Sequence, residues 1–422
     1  MHEMEWFQCG YLPRRGNGAP DDDESACTLT RCFPRNSGED DDEMPALVRV
    51  YPGGWGFAVG SSSDGAVWTW GACREYLEEG AAGDGRPRRG VGRAHPASAG
   101  FATVVSACAT GPNDAPSAGV VRVEGWRPRT PPADDRAPLA DAAFLPVAAQ
   151  TIRLRSGSAP RVARRVRFVA AGDEHFIACT EDGEAFFRDA PASVCTALVL
   201  DASDRSGVAS SRDAEEHAGP GPTTTRTSRP IEVTHVAAGS RHSALVDADG
   251  RVWTFGWGLY GQLGHETCED ASRPTPVASL GACFARAVAA GVAHTSVLVS
   301  TGSVYAFGSN LDGQLGVPAD ACALGAATAT PALVEFPWDD APSRETRTFV
   351  AAVSCGARHT ACVTTRKELI SWGWNAYGQL GVGDIETRAT PTRVAVPAGR
   401  KAEAVACGRW HTVVGVDAVV GA

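Results

Sequence analysis

The 422-residue chain is predicted to be an all-β repeat protein, and three observations predict it. One stretch recurs. Residues 232–264 read E-V-T-H-V-A-A-G-S-R-H-S-A-L-V-D-A-D-G-R-V-W-T-F-G-W-G-L-Y-G-Q-L-G, and related copies stand at 287–316 and 350–381. Self-similarity at a period of roughly 50 residues marks a solenoid, an array or a propeller. Each copy also divides into strand-like runs. A β-branched run ends at Gly239, a second follows His242, Asp249-Gly250 makes a turn, and Val252-Trp253-Thr254-Phe255 alternates as a half-buried strand does. Finally, 47 Gly and 27 Pro with few long helical periodicities suit many short strands joined by turns.

The series V-A-A-G-x-x-H-[ST], D-G-x-V-[WY]-x-[FW]-G and G-Q-L-G resembles the repeat of the regulator of chromosome condensation family. The resemblance is strong in three copies and covers most of 232–417. It implies a seven-bladed β-propeller of RCC-type repeats, a single domain over 1–422, closed by pairing N- and C-terminal strands.

Taken in order, Trp6-Phe7-Gln8-Cys9-Gly10-Tyr11 aligns with Val252–Trp257 and is half a repeat. Its missing half stands at Ala404–Thr412. Residues 4–18 are therefore expected to complete the C-terminal blade, since joining the two ends inside one sheet removes exposed strand edges. Acidic runs at Asp21–Glu24 and Glu39–Glu43 make 19–45 a flexible insert. Degenerate repeats follow at 46–92, where G-Q-L-G is absent, and at 101–126, the weakest copy. The Pro/Asp/Arg-rich 127–164 reads as an insertion. The register returns over 165–190, with Val166–Gly172, His175, Asp182-Gly183 and Ala185-Phe186-Phe187. Polar stretches at 201–230 and 317–348 read as further flexible inserts. First halves near 47, 101, 166, 233, 287, 350 and 404 supply the seven expected blades. The last ends near the C-terminus and leaves no room for an appended catalytic domain.

The recurring residues are expected to serve the fold. Gly172, Gly239, Gly291, Gly356 and Gly408 end first strands, where converging blades leave no space for a side chain. His175, His242, His294, His359 and His411 follow three residues later. They stand at matched positions of different blades, so a wide circle bonding turn backbone is expected rather than a metal cluster. The tetrads Gly261-Gln262-Leu263-Gly264, Gly313-Gln314-Leu315-Gly316 and Gly378-Gln379-Leu380-Gly381 lack the lysine of a phosphate loop. A tight turn anchored by Leu, with Gln bonding backbone, is the reading. No nucleophile elbow is present, so no catalytic, cofactor or metal role is assigned.

The thirteen cysteines include no C-x-x-C pair and read as buried thiols in a reducing compartment. No run of 18 apolar residues and no N-terminal signal pattern occur, so a soluble, intracellular, monomeric protein is expected. A net charge of −10 argues against direct nucleic-acid binding across the surface. Two basic clusters stand out locally, Arg86/Arg88/Arg89/Arg93 and Arg161/Arg164/Arg165/Arg167. Arg161, Arg164 and Arg165, with Trp257, Trp338, Trp374 and Trp410, are the candidate partner-binding residues, because Arg and aromatics dominate protein–protein hot spots.

Within the family, the founding member is a chromatin-bound exchange factor for a small nuclear GTPase with a basic N-terminal tail, whereas this N-terminus is acidic. Ultraviolet-B photoreceptors of the family cluster Trp in G-W-R-H-T; the matching positions here are Ser240, Val292, Ala357 and Arg409, and only Trp55 fits, which disfavours that reading. The short members that carry no kinase or ubiquitin-ligase domain resemble this chain at Trp6-Phe7-x-Cys9-Gly10, Trp372-Gly373-Trp374 and Cys407-Gly408-x-Trp410. That resemblance implies a non-enzymatic adaptor in the nucleus, with a cytoplasmic pool, that partners a JmjC-type histone lysine demethylase or hydroxylase at chromatin. The alternative it leaves is guanine-nucleotide exchange on a small GTPase.

Overall fold

The computed structural model describes residues 4–10, 27–32, 47–52, 57–62, 66–71, 88–99, 103–108, 120–128, 144–153, 166–173, 175–189, 196–198, 232–338, 348–397 and 399–417. Its strands in chain order begin with β1 (Met4–Gly10), β2 (Thr30–Arg31), β3 (Leu47–Pro52), β4 (Phe57–Ser62), β5 (Ala66–Gly71), β6 (Arg88–Ala99), β7 (Thr103–Cys108), β8 (Val120–Pro128) and β9 (Phe144–Arg153). They continue with β10 (Val166–Ala171), β11 (His175–Thr180), β12 (Ala185–Asp189), β13 (Thr196–Ala197), β14 (Val233–Ala238), β15 (His242–Asp247), β16 (Val252–Gly256), β17 (Ala271–Pro276) and β18 (Ala285–Ala290). The last are β19 (His294–Val299), β20 (Val304–Ser309), β21 (Ala327–Leu333), β22 (Val350–Cys355), β23 (His359–Thr364), β24 (Leu369–Gly373), β25 (Arg388–Val394), β26 (Ala402–Cys407) and β27 (His411–Asp417).

Five antiparallel blades of four strands form: β10–β13, β14–β17, β18–β21, β22–β25, and a closing blade in the order β2-β1-β27-β26. The second strands β15, β19 and β23 are buried at every residue, sandwiched between neighbouring blades. The hydrophobic core accordingly lies between blades. In one cluster Leu298, Val304 and Leu315 of β18–β21 and its loop meet Val350, Cys362, Ile370 and Trp372 of the next blade. Residues 317–348, expected as an insert, supply β21 and then Val334, Phe336 and Trp338 to that cluster. Phe336 and Trp338 stack with ring centroids 4.7 Å apart.

The expectation of seven blades is corrected: the described residues form five, and β3 to β9 run as one seven-stranded sheet in unbroken chain order. The cause is β6. A regular blade boundary needs the chain to leave the sheet between a fourth strand and the next first strand, as between β17 and β18. Here one 12-residue strand pairs with β5 through Arg88–Arg93 and with β7 through Ala94–Ala99, so no boundary opens. The stretch 127–164, expected as an insertion, contributes β9, which pairs with β8 from Val120↔Arg153 to Pro128↔Phe144.

At the seam, β1 pairs with β27 over seven residues, from Met4↔Asp417 to Gly10↔His411. Alternation along β1 sends Trp6 and Phe7 to opposite faces. Trp6 packs with Leu47, Val50 and Val413 and donates its Nε1–H to the Leu47 carbonyl at 3.1 Å. Phe7 packs with Val363, Leu369 and Val394 of β22–β25. The seam strand thus bonds both neighbours. Gly10 ends β1 at φ 103°, matching Gly256 at the end of β16 (102°), Gly308 one residue before the end of β20 (109°) and Gly373 at the end of β24 (106°). A Cβ at Gly10 would sit 2.5 Å from the Trp410 carbonyl oxygen, so only glycine fits. Residues 27–32, inside the acidic stretch expected as a flexible insert, add β2 to the outer edge of β1.

Candidate functional site

In an antiparallel blade, the turn after the first strand and the loop after the third lie at the same end. Main-chain bonds join them here: the amides of Trp257 and Trp374 donate to the carbonyls of Arg241 and Arg358, each at 2.9 Å. This end of the molecule carries the repeated motifs.

The histidines fasten neighbouring blades. His175 Nε2 lies 3.0 Å from the Ser243 hydroxyl, and His242, His294 and His359 Nε2 lie 2.9, 3.0 and 3.0 Å from the hydroxyls of Thr295, Thr360 and Thr412 on the next blade. Those threonine hydroxyls donate onward to the carbonyls of Gln262, Gln314 and Gln379 at 2.8, 2.8 and 2.7 Å. Because each hydroxyl hydrogen is spent on a carbonyl, Nε2 must carry the ring proton and Nδ1 is the bare nitrogen. The Nδ1 atoms of His242, His294, His359 and His411 are buried without a partner. Those of His242, His294 and His359 face the first-strand glycines: a Cβ on Gly239 would lie 2.6 Å from His242 Nδ1 and 2.3 Å from the Gly291 carbonyl oxygen. Gly172, Gly291 and Gly356 stand in the same relation to His175, His294 and His359, and to the next glycine in the circle, which for Gly356 is Gly408. Burial holds the imidazoles of His242, His294 and His359 down at about 3 and that of His411 at about 4. They are neutral structural groups at neutral pH.

In each tetrad the Gln side chain closes its own turn. Gln262, Gln314 and Gln379 Oε1 accept the amides of Tyr260, Asp312 and Tyr377 at 2.9, 2.9 and 3.0 Å. Leu263, Leu315 and Leu380 are buried beneath. The flanking glycines Gly261, Gly264, Gly313, Gly316, Gly378 and Gly381 all have positive φ.

What this end exposes is a mixture of Arg, aromatic and aliphatic groups. The exposed Arg241 lies 5.2 Å from the Trp257 ring, which meets Tyr260 edge-on at 5.4 Å. Arg358 lies 5.8 Å from the Trp374 ring and pairs with Asp312 of the preceding blade at 2.5 Å. Trp374 contacts Tyr377 and Trp410 edge-on at 5.3 and 5.0 Å. Of the six exposed large hydrophobic residues among those described, Leu259, Leu311, Leu324 and Ile385 sit in the loops of this end. Phe284 and Leu333 do not.

The sequence candidates divide accordingly. Trp257 and Trp374 are half-buried in this surface. Trp410 and Trp338, expected as exposed, are 2% and 8% exposed, which corrects that expectation: one underlies Trp374 and the other fills the core. Arg161, Arg164 and Arg165 lie outside the described residues. Arg241 and Arg358 were missed, although each stands directly before a repeat histidine, in S-R-H and A-R-H. On the axis, small residues line a shallow depression whose polar groups come from Asp173, Ser240 and Arg409. Its thiols, Cys355 and Cys407, are pushed up by burial to about 11 and about 12 and stay protonated. Cys9, Cys32, Cys179, Cys268, Cys283, Cys322, Cys355, Cys362 and Cys407 are free thiols, and no group of three or more His, Cys, Asp or Glu among the described residues is arranged to hold a metal.

Comparison with known proteins agrees with this architecture. The ultraviolet-B receptor UVR8 of Arabidopsis thaliana is 34% identical over 229 residues, covering 54% of this chain and 45% of the receptor. Human RCC1 domain-containing protein 1 is 34% identical over 203 residues, covering 42% of this chain and 54% of that protein. The chain thus spans about half the length of the curated relatives it matches. Among solved structures, Prp20p of Saccharomyces cerevisiae superposes with a TM-score of 0.67 at 17% identity, covering 99% of this chain and 92% of that one, a likeness of fold. The family model described as RCC1-like domain matches residues 146–414, well over half of the sequence, and the chain belongs to that family.

Proposed function

We propose that this protein is a regulatory interaction scaffold, and that the end carrying the G-Q-L-G loops is its docking surface. The observation that carries the reading is the clustering there of Arg241 over Trp257, Arg358 over Trp374, and four exposed aliphatic residues. Arg and aromatic groups surrounded by apolar area are the composition of interface hot spots. The membership of an RCC1-like family whose relatives include a photoreceptor and RCC1 domain-containing proteins supports a regulatory role. The finer reading is a chromatin-associated adaptor whose partner is a JmjC-type demethylase or hydroxylase, acting in the nucleus without catalysis of its own.

A second reading is exchange on a small nuclear GTPase. It draws on Prp20p, whose structure was determined along with its binding to Gsp1p and histones. The two separate in one experiment. Intact protein and its Arg241→Glu/Arg358→Glu variant serve as bait in nuclear extract, and purified GTPase loaded with labelled GDP is assayed in parallel. Stoichiometric, nuclease-resistant capture of a JmjC oxygenase by the parent chain alone is the expected result. Accelerated GDP release at catalytic concentrations replaces the adaptor reading with exchange, and equal capture by both baits removes this surface from either.

A further inference from the structure

The first strands β10, β14, β18, β22 and β26 run side by side around the axis, and each carries a bulge at the same place. The pairing shifts between Val166 and Phe168 in β10, between Val233 and His235 in β14, and between Ala285 and Ala287 in β18. The extra residues are Arg167, Thr234 and Arg286. They lie at the end of the molecule opposite the G-Q-L-G loops. There the amides of Val233 and Ala285, which open β14 and β18, donate to the carbonyls of Gly183 and Gly250 in turns of the preceding blades, at 2.9 and 2.8 Å. A bulge bends its strand and re-aims a side chain. Here Arg167, from the second basic cluster of the sequence, and Arg286 are exposed, one on either side of β14. Ala351 and Glu403 hold the matching places in β22 and β26, and Glu403 pairs with Lys367.

Between the two arginines β14 supplies an imidazole. The His235 ring stacks on Phe168 with centroids 5.3 Å apart, and the Arg167 guanidinium lies 5.1 Å from the same Phe168 ring. Thr234 donates its hydroxyl to the Val246 carbonyl at 3.1 Å, so its oxygen is the acceptor for His235 Nδ1 at 3.3 Å. The neutral ring therefore carries its proton on Nδ1, and Nε2 is the nitrogen that a further proton would occupy. Burial first, then the charges of Arg167 and Arg286, hold His235 below its ordinary value. Of the carboxylates flanking β14, Asp182 accepts the Thr180 hydroxyl at 2.6 Å, and Asp247 accepts the amides of Asp249 and Arg251 and Trp253 Nε1. Glu232 lies against Gly183.

We propose that Arg167, His235 and Arg286 form an anion-binding site at this end of the axis, separate from the docking surface, and that its ligand is a phosphate monoester. Two guanidiniums present forked donors to a tetrahedral dianion, and a protonated imidazole adds a third point of contact. A carboxylate, with one charge and a flat pair of oxygens, would engage only one fork. An anion favours the charged imidazole, so the site takes up a proton as it fills and holds its ligand more tightly as pH falls.

The test is nuclear magnetic resonance of the histidine-labelled full chain through a pH titration, the His235 signal being the one lost in His235→Asn. Sulfate, a dianion throughout the range, is the first probe, against chloride at equal ionic strength. The His235 midpoint is expected to rise by about one pH unit, the shift that a tenfold preference for the charged ring produces. Arg167→Gln and Arg286→Gln are each expected to weaken sulfate binding by about tenfold. Arg251→Gln, at the same end but outside the site, is expected to weaken it by less than about twofold. These side chains reach solvent, so the variants keep the fold. A phosphoserine peptide and inorganic phosphate then separate the sources. Tighter binding of the peptide assigns the group to a phosphorylated partner, and equal binding assigns it to a free ester. An unmoved His235 midpoint, or equal weakening by all three arginine variants, overturns the site.

Discussion

The blades β14–β25 and the sheet β3–β9 are both antiparallel, yet only the first divides into separate blades. The difference lies in what the ends of the strands do. In the regular blades a buried histidine, a threonine hydroxyl and a glutamine carbonyl form a relay from one blade to the next. At β6 the chain continues as strand and pairs on both edges. Strand pairing makes sheet in both regions, and only in the first does the chain leave the sheet between one blade and the next.

The comparison is most forcefully challenged by acid. The imidazoles of His242, His294 and His359 have folded values near 3 and His411 near 4, all below their ordinary value of 6.5. Below pH 6.5 the unfolded chain takes up these protons and the folded chain does not, so stability is present above 6.5 and lost as pH falls toward 3–4. Each histidine contributes a slope of about 1.4 kcal/mol per pH unit in that window. Chemical unfolding at pH 7 and pH 5 should therefore differ by several kcal/mol, with a shallower slope in His294→Gln. Equal slopes in parent and variant would show that the relay is not the acid-sensitive element.

Next in size is Trp372→Ala. Trp372 is fully buried and donates to the Gln314 carbonyl of the preceding blade at 3.0 Å. Its loss should cost about 3–5 kcal/mol in denaturant unfolding. A cost below about 1 kcal/mol would mean that the blade interfaces hold far less of the stability than the core clusters imply. Thr360→Val sharpens the contrast further. It removes the hydroxyl between His294 and Gln314 while keeping the shape, and about 1–3 kcal/mol is expected in the same assay. Smallest is Leu259→Ser on the exposed loop, expected within about 0.5 kcal/mol of the parent in stability while weakening partner capture.

Much of this was legible in the chain. The alternation in Val252–Phe255, the glycine punctuation and the half repeat at Trp6–Gly10 point to strands that the structure contains. Blade number was not legible, because the Gly/Arg-rich run before Pro96 has no strand signature, yet pairing on both edges makes β6 of it. The burial of Trp338 and Trp410 was also hidden. An aromatic side chain reads the same in sequence whether it caps a surface or fills an interface, and the neighbours here, the cluster around Trp372 for Trp338 and Trp374 with Tyr377 for Trp410, gather only after the blades have docked. The docking surface was half visible: the Trp positions stood out, while Arg241 and Arg358 were masked by the histidines beside them.

The seam has a consequence in time. Residues 4–10 leave the ribosome well before their partners at 402–417 are made. With synthesis at about 5–20 residues per second, β1 waits for tens of seconds with an edge unpaired. Throughout that interval Trp6 and Phe7 have no Val413 or Val414 to cover them. The nascent chain therefore passes through a long, sticky, open-ring stage in which a chaperone, or a neighbouring polysome product, competes for the same edge.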